Sequence, residues 1–225
     1  AYVPMPGGDA AVRKPARMAL AHLWSAGIEW EPDLPPALEF CAKDRTIIKA
    51  QLERQLNAPF TSSMGRFFDA ASALIGVRQT ATYEGQAAIE LEALADPQET
   101  GYYSFEINGE IIQPGGLWQA LLSDWRDGLP APTLAARFHN SVVRLAVDLC
   151  KQVRSESGCQ AVGLSGGVWQ NRFLLERTAA GLNQEGFRVL VHRQLPPNDG
   201  CIALGQVMVS IRQEGDQWIS RSVDQ

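Results

Sequence analysis

Near its end the chain alternates in a way that few folds accept. AVGL (residues 161–164) leads through Ser165-Gly166-Gly167 into VWQNRFLLERTAAGLNQ, and FRVLVH leads through RQLPPND into GCIALGQVMVSIRQ. Short apolar strands alternating with helical patterns across short connections define α/β layering. Within it, the stretch GLSGGVWQN (residues 163–171) carries three glycines where a plain strand-to-helix turn needs one. Such a turn turns backbone N–H groups outward, and a helix start favours anionic or polar groups. A Cβ there would block close approach of a nucleotide. Asn171 falls about one turn into the predicted helix, on the side of the turn, where it would hydrogen-bond a ribose or phosphate. The plainer alternative is a tight turn followed by a surface asparagine.

Upstream the patterns are mostly helical. Residues 10–26 read as one helix, with Pro15 in its first turn and Gly27 as its stop. A proline-rich connector, EWEPDLPPAL, precedes a second helix that puts Ile47, Ile48, Leu52 and Leu56 on one face. Together these suggest an accessory helical unit over residues 1–60 and a main unit over 61–225. In TSSMGRFFDAASALIGV, Thr61, Ser62 or Ser63 caps a helix with a Phe67, Ala71, Leu74, Ile75 stripe and a Gly76 stop. EGQAAIELEALA is a short helix, Asn108-Gly109 marks a hairpin, and LWQALLSDWRDG and residues 134–153 are helices.

Bulk properties narrow the function. A net charge of −5 with interspersed signs is the wrong balance for a general nucleic-acid surface. No apolar run approaches the roughly 18 residues of a membrane span. Cys41, Cys150, Cys159 and Cys201 form no CxxC pair and read as free thiols of a reducing compartment, the cytoplasm. His22, His139 and His192 form no HxxxH or HExxH pair, and no serine sits in a nucleophile elbow. The opening AYVPMPGGD reads as a loop, which suggests a piece of a longer protein.

Three further positions are candidates. Asp199, after Pro196-Pro197-Asn198, is either a helix N-cap or a metal-binding carboxylate at a strand's carboxyl end. Arg66 and Asp69, one helical turn apart, suggest a surface ion pair. Gly85 and Glu90 occupy the loop and first turns of the short helix, where Glu90 alone would be a solvated charge.

Taken in order, SSMGRFFDAASALIGV, YEGQAAIELEALA, ARFHNSVVRLAVDL, GLSGGVWQNRFLLE and LPPNDGCIALGQ resemble the C-terminal part of the HypF carbamoyltransferases of [NiFe]-hydrogenase maturation. The likeness runs from PMPGGD nearly to the end. It implies the second lobe of an actin/sugar-kinase/Hsp70-like (RNase H-like) ATPase fold carrying a helical insertion. It also implies a chemistry. A carbamoyl-adenylate, made from carbamoyl phosphate and ATP, gives its carbamoyl group to the C-terminal cysteine of HypE, towards the cyanide ligands of the hydrogenase. By the same likeness Gly166, Gly167, Asn171, Asp69, Gly85 and Glu90 belong to the nucleotide site, although Gln86 stands where related enzymes have a second glycine. Asp199 would be a ligand of a divalent metal (Zn, Fe or Mg), with a histidine pair supplied upstream of this chain. Alone, such a lobe would be inactive. The alternatives are an O-carbamoyltransferase of a small molecule and a non-catalytic, nucleotide-dependent interaction lobe.

Overall fold

The computed structural model describes residues 1–223, with side chains as far as residue 212. A two-residue strand β1 (Val3–Pro4) pairs antiparallel with β2 (Phe60–Thr61), closing the first sixty residues into a loop of helices. Those helices are α1 (Asp9–Arg13), α2 (Pro15–Ser25), α3 (Pro35–Leu38) and α4 (Ala42–Arg54). The single helix expected over 10–26 is two. Pro15 has no N–H to give and crowds the residue before it, so Lys14 leaves the helical region at φ −124°. The proline-rich connector contains α3, because Pro35 and Pro36 sit in a first turn where a missing N–H costs nothing. On α4 the expected face is only half right. Ile48 and Leu52 are buried, whereas Ile47 and Leu56 are exposed, and the helix stops at a left-handed Gln55.

The caps of α5 (Met64–Ile75) form as expected. Ser63 accepts from the Arg66 N–H, and Gly76 closes the helix at φ +91°. Then follow α6 (Gln86–Leu94), the hairpin of β3 (Glu106–Asn108) and β4 (Ile111–Gln113), α7 (Gly115–Arg126) and α8 (Ala131–Ser157). Phe67 and Phe68 of α5, Trp118 of α7 and Phe138 of α8 form the aromatic centre, with Trp118 and Phe67 ring centroids 4.8 Å apart. Ala19, Leu20 and Leu23 of α2 and Leu52 of α4 belong to this same core. The expected division at residue 60 is therefore not a break in the packing, because the small residues of α2 let it lie against α5 and share one apolar interior.

The alternating segment builds β5 (Ala161–Leu164), α9 (Arg172–Gln184), β6 (Arg188–Val191) and α10 (Ile202–Val223). β5 and β6 are parallel, with Ala161 opposite Arg188 and Leu164 opposite Val191. A small second cluster of Val147, Leu164, Leu182 and Phe187 fastens this pair to α8 and α9. All four cysteines are free, and no described helix is long and apolar enough to cross a membrane.

Candidate functional site

The glycine turn leaves the carboxyl end of β5. Gly166 sits at φ +112°, ψ 158°, a conformation essentially closed to residues with a Cβ. A Cβ at Gly163 or Gly166 would meet no atom within 4 Å, and one at Gly167 would first meet Asn198 Cβ at 3.9 Å. Backbone angle, not crowding, is what Gly166 requires, and the space in front of the turn is open. The Gly166 N–H donates to the Pro197 carbonyl at 2.7 Å. That bond joins the SGG turn to the LPPND loop, two motifs 30 residues apart in sequence, and uses one N–H that was expected to face a ligand.

The next residues differ from expectation. Residues Gly167–Gln170 form a 3-10 turn, and α9 begins only at Arg172. Asn171 is therefore the N-cap of α9, not a residue one turn inside it. Its Oδ1 accepts the Leu174 N–H at 2.8 Å, and its Nδ2 lies 2.9 Å from His139 Nε2. With the residue 8% exposed, its side chain's oxygen and nitrogen are both spent on partners within the fold. Nor is the start of α9 an open anion site. Glu92 of α6 already occupies it, accepting from the N–H groups of Arg172 at 2.6 Å and Phe173 at 3.2 Å.

Asp69 is buried, so the surface ion pair is corrected to an interior one. Arg66 Nη1 lies 2.7 Å from Asp69 Oδ2 with side chains 14% and 4% exposed. The contact is out of line for a hydrogen bond and Oδ2 has no hydrogen-bond partner. Burial raises the Asp69 carboxyl to about 6, with Arg66 opposing. Gly85 is the left-handed N-cap of α6 at φ +77°, a backbone need. Glu90 is no free solvated charge. Arg78 grips both its oxygens at 2.7 Å and Gln86 donates to it at 2.9 Å. The guanidinium bonds hold its carboxyl below the usual range. On α6 it is Glu92, absent from the sequence reading, that reaches the glycine-turn region.

Asp199 opens a 3-10 turn (Asp199–Cys201), but the cap is Asn198, whose side chain accepts the Gly200 N–H at 3.1 Å. Asp199 is exposed. Among the described residues no group of three or more His, Cys, Asp or Glu could hold a metal ion. One exposed carboxylate does not fit a metal centre by itself. Sequence reading also missed a Ser165–His192 pair, with Oγ and Nε2 2.9 Å apart where β5 and β6 end side by side. Strand register brings them together across 27 residues, and no local signal announces it.

The fold is thus an α/β lobe whose glycine turn and proline loop meet at the carboxyl ends of two parallel strands. The family description "Carbamoyltransferase, Kae1-like Domain, second subdomain" matches residues 1–206. The chain belongs to the HypF carbamoyltransferase family. It is 37% identical to the carbamoyltransferase HypF of Synechocystis sp., over 92% of this chain and 29% of that protein. With HypF2 of Cupriavidus necator it shares 37% identity over 94% of the chain and 29% of the relative. A full-length HypF solved in a phosphate- and nucleotide-bound form has 38% identity and a TM-score of 0.86, covering 93% of this chain and 28% of that one. The T. kodakarensis HypF structure, at 24% identity, shares the fold with a TM-score of 0.79. The chain spans less than a third of the length of these relatives.

Proposed function

We propose that this chain is the part of a HypF-type carbamoyltransferase that seats the adenylate while its carbamoyl group passes to a thiol. The donor is carbamoyl-adenylate, derived from carbamoyl phosphate and ATP, and the acceptor is the C-terminal cysteine of HypE. The observation that carries this reading is the SGG turn. It is held at a glycine-only backbone angle, faces open space, and is tied to the LPPND loop in a fold shared with a nucleotide-bound relative.

In the transfer, the thiolate sulfur forms a bond to the carbamoyl carbon. The bond from that carbon to the adenylate phosphate oxygen breaks, and AMP leaves with the electron pair. The thiol proton passes to solvent or to a protein base. This chain contributes position and a polar surface at the strand ends, the two means by which a site favours group transfer without reacting itself. Asp69 is the acceptor the family likeness assigns to a ribose hydroxyl; its Oδ2 is buried 2.7 Å from Arg66 Nη1, so the Arg66 side chain has to move before a hydroxyl reaches it. A divalent metal would supply charge stabilisation, but Asp199 offers it a single exposed carboxylate and no group of three or more such ligands lies among the described residues, so no step depends on it.

The test is carbamoyl transfer by the full-length protein to a peptide ending in cysteine, with ATP and carbamoyl phosphate. Gly166→Ala is expected to lower transfer at least tenfold, since the turn must leave its angle. Unchanged transfer by Gly166→Ala would sink the role of the turn. Transfer to hydroxyl acceptors and not to the thiol would replace HypE by a small-molecule acceptor. ATP-dependent partner binding with no carbamoyl product would make the lobe an interaction module.

A further inference from the structure

The buried ring of His139 is used by nothing in the reaction just described, yet it bonds Asn171, the residue that ends the segment running from the glycine turn into α9. Its position is 0% exposed, between Phe68 of α5 at 5.1 Å and Phe173 of α9 at 5.0 Å. Its Nδ1 is 2.7 Å from the Ala135 carbonyl and its Nε2 2.9 Å from Asn171 Nδ2.

The backbone fixes the direction of this chain of bonds from both ends. A carbonyl only accepts, so Nδ1 carries the ring's proton and donates to Ala135. A neutral imidazole then has Nε2 as an acceptor. At the other end the Leu174 N–H must meet an oxygen, which assigns Asn171 Oδ1 to it and turns the amide nitrogen toward His139. Donor meets acceptor at every link, with one tautomer and one amide orientation. Burial favours the neutral ring this requires.

Asn171 is also the junction of the turn. Its own N–H donates to Val168 at 3.1 Å, closing the 3-10 turn, and the Trp169 N–H donates to Gly166 at 3.1 Å. The SGGVWQ segment is therefore pinned at one end by Pro197 and at the other by Asn171, which His139 holds in turn.

We infer that His139 is a positioning residue for the nucleotide-binding turn, acting through Asn171. The inference rests on the reading that the turn binds the nucleotide. Removing His139 leaves the Asn171 amide nitrogen buried with an unmet donor, held only by the Leu174 N–H on its oxygen, and lets the turn sample other shapes. A turn that must be re-ordered on binding binds more weakly.

ATP and AMP are titrated calorimetrically into the full-length protein and its variants. Asn171→Ser keeps an oxygen for the helix cap but removes the donor to His139. His139→Leu removes the acceptor. Each is expected to weaken nucleotide binding about tenfold, one buried hydrogen bond's worth. The double variant should be no weaker than either single one, because both break the same link. His139→Gln, which has a donor and an acceptor, should recover part of the affinity. A lowered melting temperature with unchanged affinity overturns the inference and makes His139 a packing residue. If Gly166→Ala loses nucleotide while the His139 and Asn171 variants keep it, the turn remains the binding element and only the positioning role falls. No nucleotide binding by the unsubstituted protein removes the nucleotide reading of the turn and the positioning role together.

Discussion

The helical two-thirds and the C-terminal strand unit of this molecule are built to different standards of closure. In the first, α2, α5, α7 and α8 enclose an interior whose largest side chains, Trp118, Phe68 and Phe138, are essentially without solvent contact. In the second, β5 and β6 form a two-stranded parallel sheet held by four buried residues. Parallel sheets ordinarily have both faces covered. Here Leu190 and Val191 of β6 are exposed, as are Ile202, Leu204, Val207, Met208, Val209 and Ile211 of α10. The part that carries the glycine turn and the LPPND loop is the part least supported by its own core. The hydrogen bonds of Asn171 and Glu92, which tie α9 back to α8 and α6, matter more in such a unit than they would inside a thick core.

That contrast can be broken at its strong end first. Trp118→Ala empties the aromatic centre and should cost about 4 kcal/mol of unfolding free energy in urea titration. Leu182→Ala, in the small cluster, should cost less, about 2 kcal/mol. Its loss should surface as faster amide exchange in β5 and β6 with little change in α5. Equal, global effects from the two substitutions would mean that the molecule unfolds as one unit and the contrast has no energetic content.

Acid sharpens the comparison next, because the buried titratable groups all lie on the helical side or at its junction with α9. Burial holds His22 near 3 and His139 near 4, whereas in an unfolded chain both take a proton below about 6.5. Between pH 6.5 and 4 the unfolded chain binds these protons and the folded one does not, so stability falls as pH falls. Asp69 opposes them. Raised to about 6, it takes up its proton in the fold before an unfolded carboxyl would, which favours the fold as pH drops through 6. Two histidines against one carboxylate leave a net of about one proton, or about 1.4 kcal/mol of stability lost per pH unit from 6 to 5, before Glu90 and Glu185, held low by Arg78 and Lys151, steepen the loss further. Urea titrations at several pH values would measure that slope, and His139→Leu should flatten it to near zero. A slope of the opposite sign would put Asp69 in charge.

The smallest effect is expected at the exposed helix. Val207→Gln with Ile211→Gln should change unfolding free energy by less than about 0.5 kcal/mol, since neither side chain is covered. Binding of a hydrophobic dye should nonetheless fall. A large loss of stability would show that α10 packs on the body of the chain in solution.

Much of this was legible before any coordinates. An N-cap among Thr61, Ser62 and Ser63, the Gly76 stop, the Asn108-Gly109 hairpin and the α5 stripe follow from residues within four positions of one another, where backbone chemistry and periodicity decide the outcome, and the structure picks Ser63 as the cap. The candidate site was legible as a place rather than as a set of contacts. The SGG turn and LPPND loop could be singled out, but not that one bonds the other through Gly166 and Pro197. Asn171 looked like an outward ligand because nothing nearby in sequence shows that the helix starts at Arg172 and not at Val168, or that His139 waits 32 residues upstream. Glu92 went unread for the same reason, its partners being 80 and 81 residues away.

By itself, then, the sequence determined the α/β alternation, the helix boundaries set by glycine, serine and proline, and a glycine turn with no side chain in its way. Those features are local, and their energies are fixed by neighbours along the chain. The tertiary structure alone decided which polar groups are spent. It paired Glu90 with Arg78, buried Asp69 beside Arg66, set Glu92 on the start of α9 and faced Asn171 with His139. Most buried donors and acceptors find a partner where the fold brings one within about 3 Å, with Asp69 Oδ2 an exception, and that distance is a property of packing, not of sequence separation.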